Sequence, residues 1–351
     1  MTRLASLLLL AIAWTPSPVL SATSASLIAA GQHVIWSYPG LTPPQSLYTA
    51  ISAGQVAGVI FFKENIGTNI ASIVTSLKNA NVNSPTKLPL LLMTDQEGGQ
   101  VRRLSGAPVL SAKDMCASGT AASGGTGAGE NLKSVGMNLN LAPVLDVYRK
   151  AGDFEDQFER SFSNDPAKVS SCGADFISAQ QATGVAASAK HFPGLGAAAA
   201  GENTDVQPVT LDLSVSEIQN VDELPYIAAI AAGVKLVMPS WAVYPSIDAS
   251  RPSGLSSTFH FTELRGRLGF EGVTISDAIE AGALQAYGSH ANRAILATGA
   301  GMDLILAAAR DVNQGAGIVT ALANGLDNGT IDKKAFDRST ARIAALRSSL
   351  S

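Results

Sequence analysis

Short apolar runs rich in β-branched residues recur along the chain, bounded by turn residues and separated by stretches whose apolar positions repeat with helical spacing. In order they are His33 to Ser37, Val56 to Phe62, Leu88 to Thr94, Met137 to Val147, Ala187 to Phe192, Leu236 to Trp241, Val273 to Ser276 and Met302 to Leu306. Between them, Ile70, Ile73, Val74 and Leu77 share one face of a helix, and Ser214 with Glu217 has the spacing of a capping box. A last helix is expected from Asp332, as N-cap, to Leu350, with Phe336, Ile343, Leu346 and Leu350 on its packed face. Strand followed by helix, repeated, is the pattern of a parallel sheet covered on both sides. Eight repeats favour closure, so the expected fold is α/β, a single-domain (β/α)₈ TIM barrel. No Gly-x-Gly-x-x-Gly follows the first run, which argues against a dinucleotide-binding sheet. Gly119 to Gly129 lacks a Gly-Lys-Ser or Gly-Lys-Thr ending and is expected to be a flexible loop leading into a helix.

Composition fits this picture and removes some functions. The 351 residues accommodate one barrel of about 250 residues with added segments. Hydrophobic residues make up 46% against 15% charged, enough for a buried core and unlike a disordered chain. A formal charge of −4 offers no basic excess for a phosphate backbone, so nucleic acid is not an expected partner. At the N-terminus, Arg3 precedes an apolar run from Leu4 to Trp14, followed by Pro16, Pro18 and small residues. That layout reads as a secretory signal peptide over residues 1–22, with the barrel occupying 23–351. The run is too short to span a membrane, no later stretch is long enough, and an exported protein is expected. Cys116 and Cys172 are the two cysteines; export permits a bridge between them, and two free thiols are an equal alternative. They lack metal-site spacing and the four histidines are scattered, so no metal and no cofactor are expected.

Barrel enzymes build their sites where strands run into the following loops, which makes polar residues at those ends the candidates. They are Asp95, Asp146, the pair Lys190 and His191, and Asp277. The segments Thr94-Asp95-Gln-Glu-Gly-Gly-Gln-Val-Arg-Arg103-Leu104, Asn140-Leu-Ala-Pro-Val-Leu-Asp146-Val147, Glu159-Arg160-Ser-Phe-Ser-Asn-Asp-Pro166, Lys190-His191-Phe-Pro-Gly194 and Ser276-Asp277 together resemble the catalytic domain of glycoside hydrolase family 3. The branch they are most similar to is that of the bacterial β-N-acetylhexosaminidases, and the resemblance runs from about residue 30 to the C-terminus. It implies a retaining β-glycosidase acting on carbohydrate, with N-acetylglucosaminides as substrates. Asp277 would be the nucleophile, and Asp95, Arg103, Arg160, Lys190 and His191 would bind sugar hydroxyls. Asp146 is expected to orient Arg160 or Lys190 instead of touching sugar.

The chain departs from that pattern at one place that matters chemically. In this branch the loop after the fifth strand carries a further His and an Asp-x-His pair that supplies the general acid. Here it reads Lys190-His-Phe-Pro-Gly-Leu195-Gly-Ala-Ala-Ala-Ala-Gly-Glu202-Asn-Thr-Asp205. Pro239-Ser240-Trp241 likewise stands where a His ends the sixth strand in that branch. A leaving group still needs a proton, so Glu202 and Asp205 become the candidate acids, with burial raising the pKa of whichever enters the site. Two other readings stay open: a sugar-binding protein with little turnover on the same fold, and a Schiff-base lyase using Lys190.

Overall fold

The structure is a computed structural model that describes residues 22–350, so nearly all of the expected signal peptide, 1–22, lies outside the described residues. Eight parallel strands close into a barrel: Val34–Trp36, Gly58–Ile60, Leu91–Thr94, Leu139–Asn140, Ala186–Phe192, Leu236–Pro239, Val273–Ala278 and Leu304–Leu306. Closure comes from pairing of the first and eighth strands, with Val34 opposite Ile305 and Ile35 opposite Leu306. Side chains from the strands, among them Ile35, Leu91, Leu236 and Leu304, pack inside with Ile343 and Leu346 of the last helix, Lys333–Ser348. Asp332 caps that helix through the Ala335 N–H, and Ser214 and Glu217 form a reciprocal capping box. Among the described residues no helix is long and apolar enough to cross a membrane.

Two expectations change. The run Met137 to Val147 holds only Leu139–Asn140 in the regular ladder, with Val144 making a single bridge to Lys190. Pro143 has no N–H to donate, and Asn140 spends its side chain on the backbone of Gln96, so the run bends over the barrel mouth. The glycine-rich stretch is not a flexible loop: all but its first two residues lie in the helix Ala121–Ser134. Those glycines let it approach the helix Pro166–Ala182, because a Cβ on Gly125 would sit 2.2 Å from the Phe176 carbonyl oxygen. The cysteines, on the helices Ala112–Ala117 and Pro166–Ala182, are joined as a disulfide with Cα atoms 5.6 Å apart.

After the third strand, the antiparallel pair Gln96–Gly98 and Val101–Arg102 turns through Gly98 and Gly99, both at positive φ. The sequence pattern did not mark this hairpin. It delivers Arg103 to the barrel mouth, where the Arg103 N–H donates to the Asp95 carbonyl.

Candidate active site

A pocket of about 210 Å³ opens at the C-terminal ends of the strands. Its walls carry Asp95 from the end of the third strand, Arg103 from the hairpin, Arg160 from the loop after the fourth strand, Lys190 and His191 from the fifth, and Asp277 from the seventh. Asp205 joins them from the loop after the fifth strand. Seven of the residues singled out in the sequence therefore meet in one cavity. Glu202 does not: its carboxylate accepts the Ala199 N–H at 2.7 Å and stays within its own loop.

The pocket floor is a chain of alternating charges. The Lys190 ammonium donates to Asp95 Oδ1 and to Glu97 Oε1, each at 2.8 Å. Arg160 grips Glu97 with two parallel bonds, from Nε at 2.8 Å and from Nη2 at 2.9 Å, and reaches Glu155 with Nη1 at 2.6 Å. Burial alone would lower the Lys190 pKa, but the two carboxylates outweigh it and the pKa is raised. The amine stays an ammonium, which is the wrong state for Schiff-base attack. Burial pushes Asp95 and Glu97 up, and their cationic partners more than reverse this, so both carboxyls lie below their ordinary range. Glu155 is the exception, raised mainly by desolvation despite Arg160 and His191.

Asp146 is fully buried under the pocket and does orient a neighbour, but the neighbour is His191, not Arg160 or Lys190. Its Oδ2 accepts from His191 Nδ1 at 2.7 Å, while Oδ1 accepts the N–H groups of His191 and Leu195. Burial opposes protonation of His191, and the Asp146 carboxylate overcomes it, so the His191 pKa is raised. Atoms of Asp146, Glu155 and His191 come within 4.8 Å of one another, close enough to consider a metal. The group does not fit one. Ligands at about 2.0–2.1 Å from a tetrahedral zinc stand about 3.3 Å apart, whereas Nδ1 and Oδ2 are at hydrogen-bonding distance, 2.7 Å. Glu155 is also already paired with Arg160.

Opposite this floor stands a carboxyl pair. Asp277 ends the seventh strand half-buried, its Oδ1 accepting the Ala278 N–H at 2.7 Å. Trp241 buttresses that strand end by donating its indole N–H to the Ala278 carbonyl, so this position supports the strand that carries Asp277 instead of lining the pocket. Asp205 stands at the exposed rim, and its pKa is pushed up to about 6, first by the like charge of Asp277 and second by partial desolvation. Its loop is tied down by the Gly282 N–H, which donates to the Asp205 carbonyl at 2.7 Å, and the Ala283 N–H, which donates to the Thr204 carbonyl at 3.0 Å.

Glu97 and Glu155 were not anticipated. Glu97 lies two residues past Asp95, inside the same motif, and its position beyond a strand end was an available signal. Glu155 sits in an irregular loop with no periodicity to mark it.

Residues 30–346 match the family described as the glycosyl hydrolase family 3 N terminal domain. A protein of Arthroderma benhamiae named an uncharacterized secreted glycosyl hydrolase is 49% identical over 330 residues, covering 92% of this chain and 94% of that one. A β-hexosaminidase of Xanthomonas oryzae is 34% identical over 263 residues, covering 72% and 76% of the two chains. The β-hexosaminidase A of Pseudoalteromonas piscicida is 30% identical over 341 residues, and the match spans only 56% of its length. Among solved structures, a β-N-acetylhexosaminidase of Beutenbergia cavernae superposes with a TM-score of 0.84 at 33% identity, over 92% of this chain and 98% of that one. A family 3 β-N-acetylglucosaminidase of Paenibacillus gives 0.86 at 29%, over 92% and 62%. The chain belongs to glycoside hydrolase family 3. It is a glycoside hydrolase, and carbohydrate is its substrate class.

Proposed function

We propose that the protein is a secreted, retaining β-glycosidase of the N-acetylhexosaminidase type, with Asp277 as nucleophile and Asp205 as general acid and base. The observation that carries this is the Asp277–Asp205 carboxyl pair facing a cradle of alternating charges in one pocket. Retaining hydrolysis needs one carboxylate kept ionised and one carboxyl kept protonated, and like charge beside Asp205 produces that split. In the first step the free oxygen of Asp277 attacks the anomeric carbon while Asp205 gives its proton to the departing oxygen. In the second, the Asp205 carboxylate takes a proton from water, which displaces Asp277 from the sugar. His191 and Arg160 donate to sugar hydroxyls, and Asp95 accepts from them. Glu202, outside the pocket, is assigned no step.

N-acetylglucosaminides are the proposed substrates, on the strength of the relatives named above. Residues 1–22 would be removed as a signal peptide, leaving one barrel domain over 23–351. A relative called secreted and a disulfide suited to an oxidising compartment support this.

The test is a panel of nitrophenyl glycosides with a 2-fluoro sugar as covalent trap. Asp277 is the expected site of labelling. Asp205→Asn should lose about 10²–10⁴-fold on alkyl glycosides, lose far less on dinitrophenyl glycosides, and recover turnover with azide. Labelling elsewhere would reject the assignment, and no turnover of any glycoside by the wild type would favour a binding protein instead.

A further inference from the structure

We propose that the protein has a second sugar subsite, for a leaving-group residue bearing a carboxylate, in the hollow formed by Phe62, Lys63, Arg103 and Arg310. The inference rests on reading the neighbouring pocket as a glycosidase site. The hollow is about 460 Å³ and shares Phe62 and Arg103 with the catalytic pocket, so the two are continuous.

Direction comes from the barrel. The charged cradle lies on the side of the third to fifth strands, while Asp277 stands on the seventh. Leu306 and Ala308, from the eighth strand beside that of Asp277, and Phe62, after the second, line the wall the pocket shares with the hollow, so a leaving group laid along that wall would reach it. The hollow begins there.

Its chemistry is aromatic and basic. The Arg310 guanidinium lies 4.4 Å over the Phe62 ring, forming a flat, charged shelf. Arg310 is held there by a left-handed backbone, φ +58°, an unfavourable conformation for a residue with a side chain and one that tends to occur at ligand sites. Its N–H donates to Ser37 Oγ at 2.8 Å, which fixes the turn. Three cations face one carboxylate, Glu64, whose contact with Arg310 is loose at 3.7 Å with both side chains close to half exposed. The Lys63 ammonium makes no ion pair among the described residues. Arg103 touches Asp95 only at 3.8 Å, too long for a hydrogen bond, and its buried Nε–H has no acceptor. Unsatisfied forked donors beside an aromatic face suit a planar carboxylate on a pyranose ring.

The probes are the disaccharide N-acetylglucosaminyl-β-1,4-glucuronic acid and its neutral methyl ester. Their binding to full-length Asp277→Asn is measured by calorimetry at low and high salt. The acid should bind about tenfold tighter than the ester at low salt, with the ratio shrinking as salt screens the exposed cations. Adding Lys63→Gln and Arg310→Gln should bring the two ligands to equal affinity. Equal binding at the outset overturns the proposal, as does a preference that survives both substitutions or no binding of the acid at millimolar concentration. Turnover of aryl glycosides by the wild type judges the catalytic assignment separately, since those substrates leave the hollow empty.

Discussion

Asp205 and Glu202 lie three residues apart in a loop of small residues, and their composition alone cannot rank them as acids. What separates them is the path of the backbone. Glu202 folds back onto Ala199, while Asp205 is carried past Asp277 and takes up its electrostatic influence. This fixes a pH dependence. The folded pKa of Asp205 is raised to about 6, so the acid form needed for leaving-group protonation is full below that value and is lost as pH rises through it. For a poor leaving group, kcat/KM should fall about tenfold per unit above pH 6, and for dinitrophenyl glycosides that limb should be shallow. Because Asp277 is the largest cause of the shift, replacing it by Asn should lower the Asp205 pKa toward the ordinary carboxylate range. Carbon-13 NMR of labelled aspartates would follow this, and an unmoved titration would contradict the pairing. Asp95, Lys190, His191 and Asp277 were legible because strand ends mark barrel sites. Glu155 was not, since its importance comes from two partners, Arg160 and His191, that only the fold brings to it.

At the level of elements, the loop from Leu195 to Asp205 is pinned on both sides of the pocket. Leu195 is held by Asp146, Ala198 by the Phe154 N–H, and Asp205 by the Gly282 N–H from the loop that follows Asp277. Gly282 is the tightest of these points. A Cβ there would stand 2.0 Å from the Val206 carbonyl oxygen, so backbone must move. Gly282→Ala should therefore cost alkyl glycosides at least tenfold more than dinitrophenyl glycosides, the signature of a displaced acid. Equal losses on both would mean a general loss of structure instead. The same logic explains why the glycine-rich helix was hard to read. Local propensity opposes helix there, and the close approach to Phe176 that rewards it is a tertiary contact. Gly125→Leu should destabilise the fold by about 1–3 kcal/mol in urea unfolding, with little change in the pH profile.

For the whole molecule, the strand order was legible because a parallel barrel repeats one unit, and each unit carries its own apolar run and turn residues. Two cysteines carry no such redundancy, so bridge and free thiols stayed equal until the helices bearing them were packed together. The bridge closes a separation of 56 residues that includes the fourth strand, Asp146, Glu155 and Arg160. Closing a loop of that size removes enough freedom from the unfolded chain to stabilise the folded one by about 4 kcal/mol in the chain-entropy description. The Cys116→Ser, Cys172→Ser variant should thus unfold at lower urea than the wild type, and added reductant should shift the wild type in the same direction. The pocket itself makes no contact with either sulfur, because its charged floor is held by Lys190, Arg160 and their carboxylates. In dilute buffer at room temperature the variant should keep its kcat and its fluorosugar labelling. A loss of activity without a shift in the unfolding midpoint would instead make the bridge part of the site's geometry, acting through the helix Pro166–Ala182 on the loop that carries Arg160.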